Sequence, residues 1–127
     1  MRRSPMTYNK FAFVLPLVVL CSFVAAGSSA NPDHVAAFRA TKKCQSCDLK
    51  NAQLAGVQAQ GADLINADLS DATLYGGSLR GADLTGAILD RTNLVMVDLT
   101  GAVGAILATA ITDERTTCPD GTPGPCK

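Results

Sequence analysis

Ala62-Asp63-Leu64-Ile65-Asn66, Ala67-Asp68-Leu69-Ser70-Asp71 and Ala82-Asp83-Leu84-Thr85-Gly86 are three copies of one five-residue unit. Stepping by five from Leu49 gives Leu49, Leu54, Ala59, Leu64, Leu69, Leu74, Leu79, Leu84, Leu89, Leu94 and Leu99, ten Leu in eleven positions. Two residues before each stands a small or compact side chain, from Cys47 and Ala52 to Thr92 and Val97. Two residues after each, Gly, Asn or Asp holds nine of eleven positions, the exceptions being Arg91 and Met96. A repeat of this kind is read before any single element, because it sets the architecture.

Elementary geometry excludes the common explanations of such a period. On an α-helix five residues advance about 500°, so successive Leu would drift about 140° and form no stripe. On a continuous strand an odd period would send alternate Leu to opposite faces. A short extended stretch does fit, because residues two apart point the same way and the small residue and the Leu both face inward. A turn must follow, and Gly, Asn and Asp supply the positive φ that many tight turns need. Strand and turn in alternation coil the chain into an all-β solenoid with a Leu and Ala interior. Such a core explains how a chain with 5% aromatic residues and no Trp can fold.

Those runs resemble the pentapeptide-repeat family, whose motif is roughly A(D/N)LXX. The resemblance covers about Cys47 to Ala102. It implies a right-handed quadrilateral β-helix with about four pentapeptides per coil and about three coils over residues 47–107. At about 4.8 Å per layer the stack would be roughly 14 Å tall. Its tail, with Cys118-Pro119-Asp120-Gly121-Thr122, is similar to the ending of some exported bacterial, notably cyanobacterial, members. Those members also carry a Cys-x-x-Cys ahead of the first repeat, as Cys44 and Cys47 do here.

A stack with open ends invites pairing with other chains, which directs attention to the flanks. Residues 1–30 have the features of an export signal: Arg2, Arg3 and Lys10, then an uncharged run from Phe11 to Gly27, then Ser28-Ser29-Ala30. Cleavage is expected between Ala30 and Asn31. The rival reading is a retained membrane anchor, against which stand Pro16, the small-residue end and the short length. Leu20 before Cys21 disfavours lipidation, and the surroundings of Arg2-Arg3 fit a twin-arginine signal poorly. Residues 31–46 are expected to form an N-terminal cap with a short helix, Asp33 as its N-cap and Val35 and Phe38 on one face. Residues 108–127 form a turn-rich tail, and Gly104-Ala105-Ile106-Leu107 repeats Gly86-Ala87-Ile88-Leu89 out of phase, as a last imperfect rung or a loop over the end.

Removal of the signal leaves Cys44, Cys47, Cys118 and Cys126, an even number that suggests disulfides in an exported chain. A local Cys118–Cys126 bond is the expected pairing there. Cys44 and Cys47 permit a structural bond or buried thiols, a redox pair, or half of a metal site. Redox chemistry needs an accessible thiol, whereas Cys47 falls on an inward position. Haem attachment needs a His where Asp48 stands.

No catalytic constellation is legible. His34 is expected as an exposed helix-start residue, and Ser46, Ser70 and Ser78 have no His near them in the repeat. Asp48, Asp63, Asp68, Asp83 and Asp98 fall between inward residues and form a solvated face. No cofactor or metal is expected. Eleven basic residues balance eleven acidic ones in the 127-residue chain. That balance disfavours a basic nucleic-acid binder. Three of the basic residues belong to the signal, and between Cys47 and Ala102 seven Asp face three basic residues, a net charge of −4. Some family members are acidic rods that mimic DNA and bind gyrase, but three coils are too short for that. The expected function is an exported, non-catalytic scaffold or binding module in the periplasm, outside the cell, or in a thylakoid lumen if cyanobacterial. Its protein partner would meet Tyr75, Ile65, Val95 and Met96, with no membrane attachment after cleavage. The alternative is a thiol-disulfide protein using Cys44 and Cys47.

Overall fold

A computed structural model describes residues 29–127, so the expected signal lies outside the described residues except for Ser29 and Ala30. Each pentapeptide makes a short extended segment and a turn. The turn closes where the small residue donates its N–H to the carbonyl of the preceding Leu, as Ala67 does to Leu64 at 3.0 Å. The residue two past the Leu is then third in the turn and takes positive φ, from 54° at Arg91 to 75° at Gly101. Arg91 and Met96 obey the same geometry as the glycines although they lack the favoured chemistry. Left-handed backbone costs a side-chain-bearing residue about 1–2 kcal/mol. Met96→Gly is therefore expected to stabilise the protein by about 1 kcal/mol and raise the melting temperature by about 5 °C. Thermal unfolding followed by circular dichroism checks this, and a lower melting temperature would show that Met96 packing outweighs the strain.

Residues twenty apart pair in parallel, which stacks the chain into four faces. Lys43, Asp63, Asp83 and Val103 line the first face; Asp48, Asp68 and Ile88 the second. Gln53, Thr73, Asn93 and Ile111 line the third; Gln58, Ser78, Asp98 and Thr117 the fourth. All ten ladder Leu are buried, with the small residues between them. Cys44 belongs to the ladder as well, one step before Leu49. Gly77 has no side chain for a physical reason: a Cβ there would lie 2.7 Å from the Val57 carbonyl oxygen. Thr92 and Thr116 are the polar residues of the inward column, and their hydroxyls donate to Leu69 O at 2.8 Å and Leu94 O at 3.0 Å.

The ladder runs past residue 107, the boundary expected from the broken period. Val103 and Ile111 are eight residues apart, while their partners Asp83 and Asn93 are ten apart. The fourth coil is thus two residues short, regains one before Thr117, and puts Cys118 in the slot that Leu99 fills below. The period is lost in the sequence while the pairing continues in space. Residues 108–127 are in part this coil, and only the last few fold back. Thr117 pairs antiparallel with Pro123, and Gly124 N–H reaches Thr116 O at 2.7 Å.

At the other end a helix, α1 (Pro32–Thr41), lies against the first coil. Its N-cap is Asn31, whose side chain accepts from the Asp33 N–H at 2.9 Å; Asp33 itself sits in the first turn, where its charge suits the helix dipole. Phe38 is fully buried and Val35 packs beside the core. Part of the exposed edge of the first coil is covered by this segment. Asn31 N–H donates to Asp48 O at 3.1 Å, and the Asp48 N–H donates to His34 Nδ1 at 2.9 Å. His34 is therefore half-buried and engaged rather than a free helix-start residue. Arg39 donates to Gln53 O, and the amides of Gln53 and Gln58 turn back onto Asn51 O and Gly56 O.

Candidate interaction surface

Apart from Ala55, outward residues of the first coil are polar: Lys43, Gln45, Asp48, Lys50, Gln53, Gln58 and Gln60. Higher coils change character. Among the described residues, the exposed large apolar side chains are Tyr75 in the second coil, Ile88 and Met96 in the third, and Val103, Ile106 and Ile111 in the fourth. Of the expected apolar contacts, Tyr75 and Met96 are exposed, whereas Ile65 and Val95 are half-buried. Ile88 and Val103 were missed although a signal exists, since each occupies the outward slot that Asp fills in the repeat. Ile106 and Ile111 were not, because they follow the two-residue deletion that breaks the register.

Two grooves flank these residues. One of about 270 Å³ runs between Gly86–Asp90 and the Ile106 and Thr109 side of the fourth coil. The other, of about 450 Å³, lies between Ala105, Leu107 and the folded-back tail.

The four cysteines among the described residues form two local pairs at opposite ends of the stack, Cys44–Cys47 and Cys118–Cys126. All four are buried, with Cys44 3% and Cys47 9% exposed. Among the described residues, no three His, Cys, Asp or Glu side chains are grouped to hold a metal ion.

Asp68, Asp83 and Asp98 are half-buried, Asp71 and Asp120 are exposed, and all five are locally bonded. Asp83 Oδ1 accepts from both the N–H and the hydroxyl of Thr85, at 3.0 and 2.6 Å. The same fork joins Asp68 to Ser70, Asp98 to Thr100 and Asp120 to Thr122. Thr85, Thr100 and Thr122 hydroxyls thereby hold Asp83, Asp98 and Asp120 below the usual carboxylate range. The Arg91 guanidinium does the same for Asp71 through two bonds of 2.7 Å. A carboxylate depressed in the folded state contributes stability above its unfolded pKa and loses it as pH falls through the folded value. The melting temperature should therefore be flat from about pH 7 to 5 and fall below about pH 4. A pH series of thermal melts checks this; a decline beginning near pH 6 would contradict the carboxylate origin.

Comparison with known proteins follows the same repeat. The family model for pentapeptide repeats matches in eight copies over residues 47–86 and 67–103. No curated protein matches the chain. Among solved structures, a pentapeptide repeat protein from Nostoc Pcc 7120 is similar at 27% identity and TM-score 0.53, over 80% of this chain and 92% of that one. HetL, a pentapeptide repeat protein involved in heterocyst differentiation regulation from Nostoc sp. strain PCC 7120, is 29% identical. That match has TM-score 0.35 over 65% of this chain and 43% of HetL. A pentapeptide repeat protein of the Arabidopsis thaliana thylakoid lumen is 20% identical with TM-score 0.33, over 69% and 68% of the two chains. Proteins of this kind form right-handed β-helices. With its five-residue period, inward Leu and twenty-residue ladder, the chain belongs to the pentapeptide-repeat family.

Proposed function

We propose that this protein is an exported, non-catalytic module that docks a partner protein through its C-terminal coils. The observation carrying the proposal is the gradient along the stack: polar outward residues on the first coil, exposed aliphatic ones on the third and fourth. Ile88 and Ile106 border one groove, and apolar side chains grouped in this way mark interaction sites on folded domains more often than scattered ones do. Proteins of the family are generally non-catalytic. The buried sulfurs of Cys44 and Cys47 speak against a redox role, since exchange requires attack on an accessible sulfur. Export to the periplasm, the medium or a thylakoid lumen is supported by the charged-then-apolar segment before Asn31 and by local cysteine pairs suited to an oxidising compartment.

Site-specific photocrosslinking in the native compartment tests this. A benzophenone amino acid at Ile106 or Met96 should yield one discrete adduct, and the same group at Gln58 on the first coil should yield none. Equal adducts from both ends would defeat the assignment. N-terminal sequencing of the recovered protein should begin at Asn31; a start at Met1 would remove the export reading.

A further inference from the structure

The solenoid lacks one rung, and the gap has the hydrogen-bonding pattern of a strand acceptor. On the second face the second coil is joined to the third through Ala67 O, which accepts from Ile88 N–H, and Leu69 N–H, which donates to Ile88 O, both at 2.9 Å. The corner before it is closed by Asn66 N–H on Thr85 O at 2.9 Å. One coil higher the equivalent groups are Gly86 N–H, Ala87 O and Leu89 N–H. None of these three has a hydrogen-bond partner among the described residues. On the other three faces the third coil is bonded to the fourth at Ala82 O and Leu84 N, Thr92 O and Leu94 N, and Val97 O and Leu99 N.

Chain length explains the gap. Two full pentapeptides are needed to cross the second face from Val103 to Ile111, and the chain is two residues short. Gly104-Ala105-Ile106-Leu107 repeats the rung sequence but makes no bridge. Ala87 and Leu89 turn their side chains into the core, 6% and 2% exposed, while Gly86, Ala87 and Leu89 all border the groove above them. The groove above them is bordered by Ile88, 45% exposed, and Ile106, 67% exposed, with Asp90 at one end.

The geometry points to a peptide-binding slot: an extended segment of a partner protein adds as the absent rung. One partner residue gives its N–H to Ala87 O and takes the Leu89 N–H, and an earlier carbonyl takes the Gly86 N–H. Strand addition of this kind draws affinity from the main chain and selectivity from alternate side chains. The chemistry of the occupant follows from the walls. An aliphatic residue meets Ile88 and Ile106, and a basic residue meets Asp90. Residues 83–127 carry six acidic and three basic side chains, so a cationic segment is favoured. Two such acidic ends repel, which disfavours a second copy as occupant.

This slot names the partner class for the docking surface proposed above and rests on that reading. Its test uses the full chain after any processing and the acetylated, amidated peptide Lys-Gly-Ala-Ile-Leu-Lys. Hydrogen exchange of Gly86 and Leu89 amides should be fast in the free protein and slow by about tenfold or more with the peptide. Ile106→Ser, at an exposed site, should weaken binding by about tenfold or more with unchanged thermal stability. N-methylation of the peptide Ile should abolish binding, since it removes the donor to Ala87 O. Protection of both amides in the free chain would overturn the slot, because residues 104–109 would then fill it. So would peptide binding indifferent to N-methylation, no binding at all, or protection appearing only with dimerisation in sedimentation. Crosslinks at Ile106 that persist when the peptide result is negative would leave the docking surface standing and remove only the strand mode.

Discussion

Leu74→Ala is expected to destabilise the protein by about 3 kcal/mol, with no new ordered state replacing the lost packing. Leu74 is fully buried in the second coil, and the register puts Leu54 below it and Leu94 above. Removing three carbons forfeits about 2 kcal/mol of transfer energy. A cavity term adds to this, because neighbouring rungs are held by backbone bonds and cannot close in. Leu74 N–H bonds Asn93 O and Leu74 O accepts from Gly77 N–H, both at 2.9 Å, so the backbone around the hole is pinned. Against a typical total of about 5–15 kcal/mol this is a large fraction. Urea unfolding checks it, with Gln53→Ala on the same face as the control, expected within about 0.5 kcal/mol of the parent. A loss below about 1 kcal/mol would mean that the Leu column is not the main support of the stack.

The second large effect concerns the tail. Replacing Cys118 and Cys126 together by Ser should lower stability by about 2–3 kcal/mol, the entropy of closing so short a loop. The melting temperature should fall by about 10 °C or more. A further consequence follows from what the tail covers. Cys118 N–H donates to Thr122 O at 2.8 Å, and Gly124 N–H bonds the outer carbonyl of Thr116. Releasing residues 119–127 uncovers this edge, and an uncovered edge recruits other chains. Light scattering should therefore show concentration-dependent association of the double variant below its unfolding temperature. The Cys44–Cys47 bond closes a shorter loop, and breaking it leaves α1 in place, so its loss should cost less and produce no association. If both variants behave alike, the tail is not an edge cover.

Periodicity made the interior readable. Leu at every fifth residue, a small residue two before it and a turn former two after it leave one arrangement that hides the Leu and meets the φ requirement. The same rule covered Arg91 and Met96, whose types alone would have argued against a turn. The helix was also legible, although its N-cap was assigned two residues too late. Asp33 is the stronger-looking candidate, but Pro32 fits the first helical turn and leaves Asn31 as the residue able to bend back. His34 was misread because its acceptor role depends on Asp48, fourteen residues on, and no local pattern carries that pairing.

Repeat chemistry is local, and therefore residue order alone settled the coil, its inward columns and its acidic outer face. Where pairing depends on the count of residues between two distant rungs, only the folded chain could decide. Two residues lost between Val103 and Ile111 left the third and fourth faces paired and the second face one rung short. That shortfall placed Ile106 beside Ile88 and left Gly86, Ala87 and Leu89 with open backbone groups. A ladder satisfies its bonds across coils, some twenty residues apart, and so its defects are visible only once the coils are stacked.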